Sequence, residues 1–214
     1  MSLVALDASG SKASLALLTE DGVVTGFWTA ALKPGLIETL PLLLQQATSG
    51  QKITDVAVCT GPGSFTGLRT SIALAQGFAA GIGAVLWGVC AWDSYCAALP
   101  SRELPLWVAI RARRGRIFLL RDGGKAEAYA DEALPPPQEA VMLAGEEASS
   151  LAASLLTCGA QVTVNNHLKL DATHVGLAAI RQKQAGHAPQ SALPLYIDPP
   201  EAKLPAAGLR PSPL

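Results

Sequence analysis

Thr60-Gly61-Pro62-Gly63-Ser64-Phe65-Thr66-Gly67-Leu68-Arg69-Thr70 joins an apolar run, Asp55 to Cys59, to a long helical pattern that begins near Leu68. Three glycines and a proline between positions 61 and 67 are a costly way to build an ordinary connection. Such a loop suits a place where backbone must approach something closely, since glycine alone enters positive-φ regions freely. Ser64 or Thr66 is placed to cap the following helix, whose first amides and positive dipole end favour an anion or a tightly packed partner. Familiar readings fail on spacing. A P-loop needs Lys and then Ser or Thr after its last glycine, but Gly67 is followed by Leu68 and Arg69. A dinucleotide fingerprint needs glycine where Thr66 stands, and a nucleophile elbow needs a residue between Gly63 and Ser64.

Working outward, the short apolar runs Leu3 to Leu6, Ala13 to Leu18 and Val23 to Trp28, separated by polar turns, predict an antiparallel meander. Leu36, Ile37, Leu40, Leu43, Leu44 and Ala47 then trace a broad helical stripe, with Pro41 predicting a kink or a late start. A strand over Asp55 to Cys59, the glycine loop, the second helix, a strand over Ala84 to Val89 and a short helix over Trp92 to Leu99 complete the order βββαβα, then βα. Beyond Pro100 the pattern predicts strands over Leu106 to Ala112, Arg116 to Arg121 and Gln161 to Val164. It predicts helices over Glu146 to Leu156 and from an Asp171 cap to about Ala185, with an irregular tail after Pro194. Domains are expected over residues 1–100 and 101–214, the second truncated.

The loop matches the GPGSFTG-(L/V)-R segment of the bacterial TsaB (YeaZ) family, and the match runs on through Ser71 to Ala79. Leu3 to Ser9 resembles that family's opening strand and loop, Ala112 to Phe118 its mid-chain segment, and Leu193 to Ile197 its Pro-x-Tyr segment. The resemblance implies an α/β chain of the ribonuclease-H-like, actin-like ATPase fold. It implies a cytoplasmic, non-catalytic partner subunit in the synthesis of threonylcarbamoyladenosine at position 37 of tRNA. Its expected partners are the TsaD transferase and the ATPase TsaE, or a second copy of this chain where TsaD is absent, with tRNA met only through the complex. No cofactor is expected to bind this chain stably by itself, although ATP or ADP has a place in the complex. The chain departs from the family pattern at Arg111, Pro34-Gly35 and Asp198.

Candidate site residues fall into three groups. Asp7, Ser9, Gly10 and Ser11 occupy the hairpin where actin-like ATPases hold phosphate and hydrated magnesium; the plainer reading is a tight turn satisfied by an Asp and two hydroxyls. The motif loop comprises Gly61, Pro62, Gly63, Ser64, Phe65, Thr66 and Gly67. An association surface is expected on Leu36, Ile37, Leu40 and Leu43 of the first helix and on Leu68, Arg69, Ile72, Ala75, Gln76 and Ala79 of the second. Phe78 and Ile82 are expected to face the sheet. The alternative is a stand-alone ATP-binding enzyme, kinase-like or glycoprotease-like.

Composition limits the rest. Half of the 214 residues are hydrophobic and 15% are charged, which excludes a disordered chain. A net charge of −1 provides no global field for nucleic acid, leaving only the local cluster Arg111, Arg113, Arg114 and Arg116 to meet tRNA or an acidic partner. His167, His174 and His187 form no i, i+4 pair, so no metal site is expected. Cys59, Cys90, Cys96 and Cys158 form no CxxC pair and read as reduced thiols. No nucleophile has an evident base, so no catalytic residue is assigned. The uncharged stretch from Ser71 to Trp92 is long enough to span a bilayer, but its glycines favour a buried helix, turn and strand.

Overall fold

A computed structural model describes residues 2–31, 35–112, 115–121, 123, 125–130, 133–165 and 168–197; the side chains of Leu36 and Ile37 also lie outside the described set. Two five-stranded sheets carry the fold. The first has the order β3-β2-β1-β4-β5, built from β1 (Ser2–Asp7), β2 (Lys12–Thr19), β3 (Val24–Ala31), β4 (Ile53–Gly61) and β5 (Val85–Cys90). β1 pairs antiparallel with β2, Ala5 opposite Ala16, and parallel with β4, Val4 beside Val56. β4 in turn pairs parallel with β5, Ala57 beside Trp87. The carboxyl ends of three parallel strands, at Asp7, Gly61 and Cys90, therefore lie along one edge, where open α/β sheets place their sites.

The second sheet repeats that order as β10-β9-β6-β7-β8, from β6 (Leu106–Arg111), β7 (Arg116–Leu120), β8 (Ala126–Ala130), β9 (Val141–Ala144) and β10 (Val162–Val164). The meander, the parallel crossover and the strand order together make the fold ribonuclease-H-like, as in actin-like ATPases. The second half is shortened by one helix. α1 (Leu36–Thr48) links β3 to β4, whereas the described residues between β8 and β9 contain none. Pro135-Pro136-Pro137 falls in that connection and accounts for its irregular backbone.

Both faces of the first sheet are covered, which explains why β1 and β2 are almost wholly buried and apolar. α1 and α2 (Phe65–Ile82) cover one face; α3 (Ala91–Ala98) and α5 (Ala172–Gln184) cover the other, and α4 (Ala148–Thr157) packs on the second sheet. α5 arrives from the far end of the chain and lies against β1, β2 and β4. Gly176 permits this approach, since a Cβ there would stand 2.5 Å from Leu18 Cδ1 and 3.3 Å from Ala5 Cβ. Asp171 caps α5 by accepting from Thr173 N, and His174 Nδ1 accepts from Asp171 N, a reciprocal cap that accounts for this histidine.

Asp55, buried on β4, ties α5 in place. Its carboxylate accepts from Lys183 Nζ at 2.7 Å, Trp87 Nε1 at 2.9 Å and Thr54 Oγ1 at 2.8 Å. Burial pushes the Asp55 carboxyl upward, but these donors outweigh it and hold the group below its ordinary value. A depressed carboxylate stabilises the fold above its unfolded pKa of about 4 and loses that contribution as pH falls through the folded value. Lys183→Met is therefore expected to cost about 1–3 kcal/mol at neutral pH. Melting curves from pH 7 to pH 3 should show the deficit shrinking as wild type loses the same contact.

Candidate partner-binding face and the glycine loop

The glycines of the motif loop are explained by the chain's own hairpin. Ser64 N donates to Ser9 O at 2.7 Å. A Cβ on Gly63 would lie 2.4 Å from Ser9 O, and one on Gly67 would lie 2.0 Å from Ala8 O. Backbone packs directly on backbone, so the close partner anticipated from the loop is the turn between β1 and β2. Gly61 has φ +98, and the Gly61–Pro62 peptide is cis. Ser64 caps α2 by accepting from Gly67 N at 3.3 Å, starting the helix at Phe65, three residues before the expected Leu68.

The hairpin is satisfied internally. Asp7 is 1% exposed, and its Oδ1 accepts from Ser9 N at 3.0 Å and Ser9 Oγ at 2.7 Å. Burial raises the Asp7 carboxyl above its usual range despite those hydrogen bonds, and the charge of Asp171 adds to the effect. Ser11 N donates to Glu146 Oε1 at 3.1 Å. Cys59 is fully buried beside Asp7, and burial drives its thiol well above its ordinary pKa, so it packs as a small hydrophobe.

The expected association surface needs correction. Leu40, Leu68, Ile72, Ala75 and Ala79 are at most 4% exposed and belong to the core that α1 and α2 form against the sheet. The i, i+4, i+7, i+11 stripe of small and apolar residues on α2 is its sheet-facing stripe. Arg69 and Gln76 are occupied within the chain. Arg69 Nε donates to Tyr196 Oη at 2.7 Å and its guanidinium lies 3.9 Å from the Phe65 ring centre, while Gln76 Nε2 donates to Ala192 O at 2.8 Å. Ile82 is corrected in the opposite sense, being 47% exposed, whereas half-buried Phe78 packs against the core as expected and also lines an outer groove between α1 and α2.

That groove encloses about 400 Å³ and includes Pro41, Ala73, Leu74, Gly77 and Phe78. Leu42, on α1, is 65% exposed. Small residues at 73 and 77 leave α2 open to a second helix, and nothing lies within 4 Å of a Cβ built on Gly77. Half-buried Leu43 packs at the edge of the core.

The irregular segment 188–197 binds α2 to the sheet. Gly88 N donates to Gln190 O and Leu195 N to Thr60 O, so the Pro-x-Tyr segment closes over the motif loop. Arg111 forms an ion pair with Glu147; Arg113, Arg114, Pro34, His167 and Asp198 lie outside the described residues. Among the described residues no group of three or more His, Cys, Asp or Glu is placed to hold a metal ion, and no helix is long and apolar enough to cross a membrane.

Residues 34–195 match the family model described as TsaD, tRNA N6-adenosine threonylcarbamoyltransferase. The chain is 27% identical over 122 residues to the tRNA threonylcarbamoyladenosine biosynthesis protein TsaB of Bacillus subtilis (strain 168), covering 55% of this chain and 53% of that protein. It is 36% identical over 93 residues to TsaB of Escherichia coli (strain K12), covering 42% and 40% respectively. Its matches thus span about half the length of the curated relatives or less. YeaZ from Pseudomonas aeruginosa shares the fold with a TM-score of 0.69 at 22% identity, over 91% of this chain and 99% of that one. By the model match over most of its length, and by the motif loop that the structure seats on its own hairpin, the chain belongs to the family of tRNA N6-adenosine threonylcarbamoyltransferases, as one of its TsaB (YeaZ) members.

Proposed function

We propose that this chain is a non-catalytic subunit in the synthesis of threonylcarbamoyladenosine in tRNA, and that it docks on the TsaD transferase through the outer face of α1 and α2. The observation that carries the docking face is the open groove between the helices, lined by Ala73, Leu74, Gly77 and Phe78. Exposed apolar helix surface of this kind, built on small residues, accepts the helices of another protein. A structural role is supported by the hairpin, where Asp7 spends its hydrogen bonds on Ser9. It is also supported by Cys59, whose thiol is held protonated by burial. On this reading the chain supplies binding energy and bond-making groups come from its partner, with TsaE and nucleotide entering at the level of the complex.

Reconstitution with the same organism's TsaD, TsaE, tRNA and a source of threonylcarbamoyl tests the reading. Modified adenosine should form only when this chain is present, and the chain alone should form none with ATP. Undiminished modification without it would refute the role.

A further inference from the structure

A cavity of about 690 Å³ opens between α3, α5 and the irregular segment that follows α5, on the side of the first sheet away from α1 and α2. Thr60 and Cys90, at the carboxyl ends of β4 and β5, line it. Its size suits a small molecule, and its position is where open α/β sheets hold one. The outer wall is fixed to both strands. Gly88 N donates to Gln190 O at 3.0 Å and Leu195 N to Thr60 O at 2.8 Å. A Cβ on Gly88 would stand 2.4 Å from Ser191 O, and Ala192 is 6% exposed within the core.

The polar groups of the cavity indicate what it takes. Gln182 Nε2, on α5, donates to Asp93 Oδ2, on α3, at 3.0 Å. That bond fixes the amide's orientation, since the opposite one would set its oxygen against a carboxylate. Gln182 Oε1 is thereby left buried without a hydrogen-bond partner, a state rare in native interiors. Asp93 and Arg181 line the same cavity with opposite charges, yet neither forms an ion pair with another described residue. Arg181 Nη1 donates to Cys96 O at 3.2 Å, which orients the guanidinium beside α3. Ala97, Ala178, Leu193 and Pro194 supply an apolar wall. We propose that this cavity binds a free α-amino acid with an apolar side chain, its ammonium donating to Asp93 and Gln182 Oε1 and its carboxylate accepting from Arg181. An ammonium carries three donors, so it satisfies the amide oxygen and the carboxylate together. A guanidinium is the natural complement of a carboxylate. A simple amine or a simple acid would leave one charge of the cavity unmatched, which selects the zwitterion. The site stands apart from the docking face and is tested without a partner.

Titration of L-leucine, L-valine and L-phenylalanine into the full chain tests the site, with calorimetry for affinity and NMR for the Gln182 side-chain amide. At least one should bind saturably, shift that amide signal and raise Tm. For the amino acid that binds best, the N-acetyl form lacks the ammonium and the carboxamide lacks the carboxylate. Each should bind about tenfold more weakly or worse, as expected for losing a charged hydrogen-bonding group. Gln182→Leu and Arg181→Ala should weaken binding to a similar degree. Arg181 is exposed, so Arg181→Ala keeps the test open should Gln182→Leu fail to fold. Absence of saturable binding for all three amino acids at millimolar concentrations would overturn the proposal. Equal affinity for an amino acid and its carboxamide would remove the zwitterion, and binding unchanged in Arg181→Ala would remove the site from this cavity.

Discussion

Gly67→Ala is expected to destabilise the protein by about 3–5 kcal/mol, lowering Tm by roughly 10 °C in a chain of this size. Helix propensity argues the other way, because alanine is better than glycine inside a helix by about 1 kcal/mol. Sterics decide. The added methyl would sit 2.0 Å from Ala8 O and 3.1 Å from Ala8 C, and these are backbone atoms of a fully buried residue that cannot rotate away. Relief requires the first turn of α2 to lift from the hairpin, which would also strain the bond from Ser64 N to Ser9 O. Gly81→Ala is the matched control. It lies in the same helix, is exposed, and has nothing within 4 Å of its built Cβ, so it should gain about 0.5–1 kcal/mol. Thermal melts of the two variants should move in opposite directions. Equal shifts would show that the loop is not seated on Ala8.

Ala75→Glu and Ala73→Glu, two residues apart on one helix, should fail in different ways. Ala75 is 0% exposed beneath α2, and a carboxylate there would be buried against apolar neighbours. The cost, about 4 kcal/mol or more, should leave the chain unfolded or unstable near ambient temperature. Ala73 is exposed on the outer groove, so Ala73→Glu should change stability by no more than about 0.5 kcal/mol. It should nevertheless abolish docking on the proposed face, because the charge would be buried at a close helix contact without a partner. Circular dichroism separates the two effects before any binding is measured. A folded, stable Ala75→Glu protein would contradict the packing of α2 described above.

Much of the first sheet was legible in the sequence because its signals are local. Short apolar runs between polar turns mark β1 to β3, the apolar run ending at Cys59 marks β4, and glycine and proline punctuate the connections. The second sheet was only partly legible. β8, Ala126–Ala130, is an edge strand of small and polar residues, and β9, Val141–Ala144, is only four residues long, so neither carries a readable period. Helix faces were misassigned for a different reason. Periodicity shows that Leu68, Ile72, Ala75 and Ala79 share a stripe, but not whether the sheet or a partner meets it. Phe78 could have signalled the outer face, since a large aromatic off the main stripe needs its own cover.

The candidate hairpin was legible as a set of residues and illegible as a geometry. Asp7, Ser9, Gly10 and Ser11 do come together, yet the acceptor for Ser11 N is Glu146, which no local pattern connects to them. The junction of Arg69, Phe65 and Tyr196 is similar. Each belongs to a segment noted for its family resemblance, and only the fold shows that the guanidinium lies over the Phe65 ring while its Nε donates to the Tyr196 hydroxyl.

The docking claim is tested most directly by mixing this chain with its own organism's TsaD and measuring the mass by light scattering behind size exclusion, with wild type and Ala73→Glu side by side. A one-to-one complex with wild type, absent with the folded Ala73→Glu variant, is the predicted result. A complex that forms equally with both proteins, or with neither, would contradict the account.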